Sequence, residues 1–288
     1  MSNANLNRAA RAKADEFYTQ LSDIERELER DEYRAFFSGK VVYCNCDDFR
    51  HSQFVRYFTD NFAALNLEKF VATGMNAGYL IKTAGGVETG ALTGNGDFRS
   101  DECVEILREA DVVVTNPPFS LFREYVAQLM KYQKKFVIVG HMNAITYKEI
   151  FPLIQQNKIT LGYGFKGMYA FFKSHYEDFA AASEHRDGMI RNSGVTWYTN
   201  IPLKKYREEL LLTFEYSPEL YPKYDNYDAI EVSKTARIPM DYDGVMGVPI
   251  TFLDKYNPDQ FEIVWRLNEG GFLGSRRTYK RLLIRRRQ

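Results

Sequence analysis

The sequence predicts an α/β fold built on a doubly wound, mostly parallel sheet with an antiparallel edge, followed by a smaller C-terminal region. Three observations predict it. The chain opens β-α-β, with apolar runs at 40–44 and 69–74 on either side of an amphipathic stretch at 52–65. The run Val112-Val113-Val114 reads as a short buried strand that stops at Thr115-Asn116-Pro117-Pro118-Phe119. After about Ile201 the periodicity weakens and Tyr, Asp and Pro accumulate. The expected boundaries are therefore 1–200 for the sheet domain and 201–288 for the annex.

Composition sets the outer limits. The 288 residues are 45% hydrophobic and carry a formal net charge of +0, enough apolar material for a sizeable core and no overall charge that demands nucleic acid. Three cysteines, Cys44, Cys46 and Cys103, are too few and wrongly spaced for a disulfide framework or a zinc site. The four histidines are scattered, so no metal is expected. No apolar run is long enough to span a bilayer and the N-terminus lacks a signal-peptide core, which points to a cytoplasmic protein without membrane partners.

Each element follows in order. Residues 1–14 read as a loose polar arm. Ser22 with Glu25 forms a capping box for a charged helix reaching about Arg34. The stretch 40–48 reads as a buried strand that ends in the polar groups Asn45, Cys46, Asp47 and Asp48. Residues 52–65 carry Phe54, Val55, Phe58, Phe62 and Leu65 at helical spacing, and 69–74 is the second strand. The Gly-rich 74–100 stretch suggests a surface hairpin, with Asn95-Gly96 as a turn signal, and Ser100 or Asp101 caps a helix to Ala110. Beyond the NPPF loop come a helix at about 121–131, a strand at 135–140, a helix at 146–156 that Pro152 interrupts, and a strand at 159–163. The stretch 194–200 is read as pairing with that last strand in an antiparallel edge.

The chemistry-bearing positions cluster at strand ends, where an open α/β sheet binds its ligands. Two prolines fix Asn116 and Phe119 on a stiff loop. The amide offers an acceptor and two donors and the ring a flat face, which suits an adenine held outside its helix, although a plain proline turn would look the same. After the first strand there is no glycine turn for a pyrophosphate. Asp47 and Asp48 there fit a nucleoside with a positive centre, or else a solvated helix cap. Asp97 and Phe98 mark a third strand end. Trp197 and Tyr198 could close on an extruded base or simply pack in the core, with Phe171 and Phe172 as weaker candidates for the same role. The C-terminal Arg276, Arg277, Lys280 and Arg281, with no acid among them, could neutralise phosphates.

These residues resemble a known family. Asp15 to Thr19 (DEFYT), Val42 to Asp48 (VYCNCDD), Asp97-Phe98, the NPPF loop and Asp241 to Ile250 (DYDGVMGVPI) are similar to the EcoRI-type adenine-specific DNA methyltransferases, over almost the whole chain. The resemblance implies a Rossmann-like S-adenosylmethionine-dependent methyltransferase sheet at 1–200 and a target-recognition region at 201–288. It implies that Asn116 and the Pro117 carbonyl bind the adenine amine and that Phe119 stacks on the flipped base. It places Tyr18, Thr19, Asn45, Asp47, Asp97 and Phe98 around S-adenosylmethionine, with double-stranded DNA as substrate and a restriction endonuclease of the same specificity as a possible functional partner. The chain departs from the wider amino-methyltransferase pattern in its glycine-free first motif. The rival readings are an RNA-adenine or protein-glutamine methyltransferase, a DNA-binding protein with an inactive fold, and a metal-dependent nuclease using Asp47 and Asp48.

Overall fold

A computed structural model describes residues 18–165, 169–173, 185–186 and 189–287 of the chain. In chain order the first elements are β1 (Tyr18–Thr19), α1 (Leu21–Leu28), α2 (Asp31–Phe37), β2 (Val41–Cys44), α3 (Gln53–Asp60), β3 (Lys69–Gly74), β4 (Gly78–Thr83) and β5 (Gly86–Gly90). Then come α4 (Asp101–Glu109), β6 (Val112–Thr115), α5 (Phe122–Lys131), β7 (Lys135–His141), α6 (Phe151–Gln155) and β8 (Thr160–Leu161). The remainder is strand and irregular chain: β9 (Tyr169–Lys173), β10 (His185–Arg186), β11 (Met189–Ser193), β12 (Val195–Thr199), β13 (Ile230–Glu231), β14 (Met246–Pro249), β15 (Phe261–Leu267), β16 (Phe272–Leu273), β17 (Arg276–Arg277) and β18 (Arg281–Arg286). Among the described residues no helix is long and apolar enough to cross a membrane, and no group of three or more His, Cys, Asp or Glu is placed to hold a metal ion.

The chain forms two compact units, Met1–His141 with Gly162–Ile201 and Met142–Leu161 with Pro202–Gln288. The break near 201 lies where the composition changes, but the segment 142–161 groups with the C-terminal chain. In the first unit, sheet strands run in the order β5-β4-β3-β2-β6-β7-β12. The four central strands are parallel to one another, and β4, β5 and β12 are antiparallel additions. The expected mostly parallel α/β sheet with antiparallel edges is thus the observed one. From β2 the chain goes outward to β3 and then returns to lay β6 on the other side, so β2 and β6 flank the point where the winding reverses. Ligands of such sheets bind beyond the carboxyl ends of these two strands. A second sheet in this unit, β1-β9-β11-β10, ties the chain's early residues to the 169–193 region.

Several expected details differ. The capping box does not form. Thr19 is still paired in β1, opposite Phe172, so the chain turns at Gln20, whose carbonyl accepts from the amides of Asp23 (3.0 Å) and Ile24 (3.2 Å). Ser22 therefore lies inside α1. The single charged helix is two, because Arg30 is extended (φ −68°, ψ 140°). The hairpin is real but lies at 78–90 and lengthens the main sheet, while Asn95-Gly96 packs elsewhere. Gly96 has φ +78°, and a Cβ there would approach the Gly74 carbonyl oxygen to 2.2 Å. Pro152 opens α6 instead of breaking a longer helix, since the first turn needs no proline N–H. Residues 1–14 and 15–17 lie outside the described residues, as do the side chains of Tyr18, Phe171 and Phe172.

The second unit contains a four-stranded sheet in the order β13-β14-β18-β15 and the short hairpin β16–β17. The expected basic tail is mostly a core strand. Leu282, Leu283 and Ile284 of β18 are fully buried between β14 and β15. Their apolar triplet outweighs the arginines on either side.

Candidate active site

The site is built where β2 and β6 end. Beyond β2 the chain enters Asn45, Cys46 and Asp47; beyond β6 it enters Asn116, Pro117, Pro118 and Phe119. The two loops are stapled together by one carboxylate. Asp47, 7% exposed, accepts from the hydroxyl of Thr115 at 2.5 Å on one oxygen and from that of Ser52 at 2.6 Å on the other. The Asp47 amide donates to the Thr73 carbonyl at 2.9 Å, which ties the end of β3 into the same junction. Ser52 is also the N-cap of α3, accepting from the amides of Phe54 and Val55. Among the described residues no cation pairs with it, and burial pushes the Asp47 carboxyl up to about 6, while the two hydroxyls pull the other way.

Asn45 lies beside this staple and is fully buried. Its Oδ1 accepts from the Tyr125 hydroxyl of α5, while its Nδ2 has no partner among the described residues. An unsatisfied buried amide donor is rare and costs about 1–3 kcal/mol. Tyr125 also carries the ring of Phe98 edge-on at 5.0 Å, and the Phe98 carbonyl accepts from Gln128 Nε2 at 3.0 Å. Next to it Asp97 is gripped by Arg99 through Nε (2.9 Å) and Nη2 (2.6 Å), and these bonds hold its carboxyl below the usual range. Asp48 has the same relation to Arg50, at 2.8 Å on each oxygen; partial burial pushes its carboxyl up, but the Arg50 bonds and charge together outweigh it and leave the carboxyl lowered.

On the β6 side the half-buried Asn116 donates from Nδ2 to the buried Thr19 Oγ1 at 3.2 Å. The bond ties the amide nitrogen to β1. Pro117 is buried, and Phe119 begins a single 3-10 turn (Phe119–Leu121), half exposed, with the Leu121 amide closing on the Pro118 carbonyl at 3.0 Å. The turn runs directly into α5. That helix is seated by Phe122, whose ring lies 5.1 Å from that of Tyr198 over Gly140. A Cβ on Gly140 would come within 2.5 Å of the Phe122 ring and 2.9 Å of the Tyr198 ring.

The structure therefore brings together Thr19, Asn45, Asp47, Asn116, Pro117 and Phe119, with Asp97 and Phe98 attached through Tyr125 and Gln128. It places other candidates elsewhere. Trp197 and Tyr198 are fully buried and offer no face to a base. Trp197 stacks on Phe165 at 5.4 Å, and Tyr198 donates to the His141 carbonyl at 2.9 Å behind α5. Both side chains are covered because neither face of β12 reaches solvent. Arg281 is buried in an ion pair with Glu231, through Nε (3.0 Å) and Nη2 (2.7 Å), and is not available to a phosphate. Arg277 pairs with Glu269, Arg276 is exposed, and Lys280 donates to Thr146 Oγ1 at 3.0 Å. Sequence reasoning passed over Thr115, Ser52 and Tyr125. Thr115 could have been found, since a hydroxyl at the end of an all-valine strand needs a partner.

The adenine-specific methyltransferase EcoRI family model matches residues 5–287. The Type II methyltransferase M.EcoRI of Escherichia coli is 46% identical, with 90% of this chain and 88% of that protein covered. M.MgeORF184P of Mycoplasma genitalium is 36% identical, covering 98% of each chain, and M.MpnI of Mycoplasma pneumoniae is 39% identical, covering 90% of this chain and 84% of its own. No solved structure gives a significant match. A glycine-free acidic loop joined through a threonine to an NPPF loop, together with near full-length relatives, makes this chain a member of the EcoRI adenine-specific methyltransferase family.

Proposed function

We propose that the protein transfers a methyl group from S-adenosylmethionine to the N6 amine of an adenine extruded from a specific site in duplex DNA. The observation that carries the reading is the anchored Asn116 amide at the end of β6, stapled through Thr115 and Asp47 to a loop with an orphaned buried donor. Membership of the family supports the chemistry, and the three relatives named Type II methyltransferases support duplex DNA as substrate.

The residues present fit the cofactor. Asn45 Nδ2 would supply a donor to one of its acceptors, Phe98, backed by the buried Tyr125, an apolar contact, and Asp97 and Asp48 carboxylates for hydroxyl or amine groups. Asp47, with both oxygens already engaged, positions Asn45 and Asn116. When bound, S-adenosylmethionine supplies an electrophilic methyl group on a sulfonium.

The chain's own work is to prepare the amine. The N6 lone pair of adenine is delocalised into the ring and is a poor nucleophile. Asn116 Oδ1 and the Pro117 carbonyl accept hydrogen bonds from its two N–H groups and draw them from the ring plane, which frees the lone pair for attack; once the nitrogen is alkylated, one of those two protons leaves to solvent and the neutral N-methyl amine remains. Phe119 stacks on the base and fixes its orientation. Orientation and charge complementarity supply the rate, with no covalent enzyme intermediate. The second unit serves as the target-recognition region, with Arg276, Arg277 and Lys280 as phosphate candidates. A restriction endonuclease reading the same site would be a functional counterpart in the cytoplasm, without a stable complex.

The test is to incubate the protein with labelled cofactor and plasmid DNA, digest to nucleosides and map the modified base. N6-methyladenine at a fixed sequence is expected. Label in RNA or on protein glutamine, with none in DNA, would overturn the reading. Asn116→Ala should remove transfer, by at least about 100-fold, and leave cofactor binding near wild type; equal loss of both would count against its role.

A further inference from the structure

The second unit contains a deliberate irregularity. In β15 the pairing to β18 slips between Ile263 and Trp265: Ile263 faces Ile284, yet Trp265 faces Leu283. One residue, Val264, is extra. A bulge of this kind re-aims the side chains that follow it. The carbonyls of Ile263 and Val264 both accept from Gln155 Nε2 of α6, at 3.1 and 2.9 Å, so the bulge is fixed from within the unit. Its result is a large aromatic turned outward: Trp265 is 48% exposed, although Phe261 and Ile263 of the same strand are buried.

Arg266 follows and is held on three sides. Its guanidinium lies 4.4 Å from the Phe151 ring centroid and 5.2 Å from that of Trp265, and the two rings meet edge to face at 5.7 Å. Its Nε donates to the Thr146 carbonyl at 2.8 Å. Both terminal nitrogens, Nη1 and Nη2, have no hydrogen-bond partner among the described residues, and neither Arg266 nor Lys280 makes an ion pair there. The carboxylates whose charge reaches them, Glu149 and Glu269, stand beyond pairing distance, and Glu269 is taken by Arg277. Lys280 donates to the hydroxyl of the same Thr146.

A guanidinium clamped between rings, with its inner nitrogen consumed and its outer fork open, is prepared for a pair of acceptors spaced like the fork. A phosphate and the O6/N7 edge of guanine both offer such a pair. A phosphate needs only charge, which the neighbouring Lys280 already brings, and a mobile side chain serves it as well as a fixed one. Immobilising the plane of the fork is what discrimination between base edges requires. We infer that Arg266 is a specificity-determining residue that reads a guanine in the major groove of the target DNA, with Lys280 on an adjacent phosphate. The inference rests on the reading of duplex DNA as substrate.

The test is selection of bound duplexes from a random-sequence library by the full chain, with the methylated adenines read in the same samples. Wild type should enrich a sequence containing a required guanine. Arg266→Lys, which keeps the charge and loses the fork, should lower the preference for that guanine by at least ~10-fold and leave other positions as they were. Lys280→Ala should weaken all sequences alike and reduce the salt slope of binding by about one. A probe with 7-deazaguanine at that position should bind wild type at least ~10-fold more weakly and Arg266→Lys no more weakly than the normal base does; this arm does not depend on the folding of any variant. Unchanged preference in Arg266→Lys, a uniform loss across all sequences, or indifference of wild type to 7-deazaguanine would each overturn the inference. A wild type that selects a guanine-containing site but forms no N6-methyladenine would sink the catalytic reading and leave this one standing.

Discussion

Two of the buried carboxylates, one from each unit, are kept in opposite ways. Glu231 of β13 faces a full cation. Arg281 meets it with two nitrogens and Tyr224 adds its hydroxyl, inside the sheet of the second unit. Asp47 in the first unit is equally buried but, among the described residues, has side-chain bonds from hydroxyls alone, those of Thr115 and Ser52. A paired carboxylate is a rivet. An unpaired one is held at an energetic disadvantage that the surrounding fold sustains, and such groups gather where loops must be fixed for chemistry. The difference separates a framework contact within a sheet from one that joins two strand-end loops.

The comparison can be broken most forcefully at the rivet. Arg281→Met should leave Glu231 buried without a cation and cost about 3–5 kcal/mol in urea unfolding, whereas Glu231→Leu combined with Arg281→Met should recover most of that loss. A single-variant loss under about 1 kcal/mol would mean that water reaches the pair.

The pH dependence of Asp47 comes next. Its folded-state value of about 6 lies above the ordinary 3.8, so the folded chain holds the proton more tightly than the unfolded chain does. The stability contribution is therefore greatest below about pH 4, falls as pH rises to about 6 and stays level above it. A gap of about two units corresponds to about 3 kcal/mol. Plotted between pH 4 and 7, the unfolding free energy of wild type minus that of Asp47→Asn should fall by that order. Parallel curves would show that the carboxyl is not confined as described.

Smaller effects sharpen the picture. Gly140→Ala should press on Phe122 and Tyr198, destabilise by about 1–3 kcal/mol and lower kcat more than cofactor affinity, because the helix behind the NPPF loop must move. Ser52→Ala removes both the α3 cap and one Asp47 partner. A loss of about 1 kcal/mol is expected, with the wild-type minus Asp47→Asn type of pH profile shifted upward when repeated in that background.

The sequence made the sheet legible because its central strands are short apolar runs with polar ends: β3 at 69–74 and β6 at 112–115 are where the runs of valine and phenylalanine place them. The NPPF loop and the Ser100 cap were legible for the same local reason. What failed depended on partners distant in the chain. Thr19 pairs with Phe172, which no local pattern announces, and that pairing displaced the expected capping box. In β12 every residue is buried, so an aromatic pair that could have been a platform is core. At the C-terminus the count of arginines hid the Leu-Leu-Ile that makes β18 a central strand. The staple between Asp47 and Thr115 spans 68 residues and leaves only two polar side chains at strand ends as its trace.

The grouping of 142–161 with the C-terminal chain bears on how these enzymes can be recombined. Gln155 and Phe151, which fix the bulge and back the Arg266 fork, are encoded ahead of β12 of the catalytic sheet. A chimera spliced once near 201 would inherit the reading strand from one parent and its supports from the other. Exchanging specificity between relatives calls for two crossovers, so that the excursion travels with the tail.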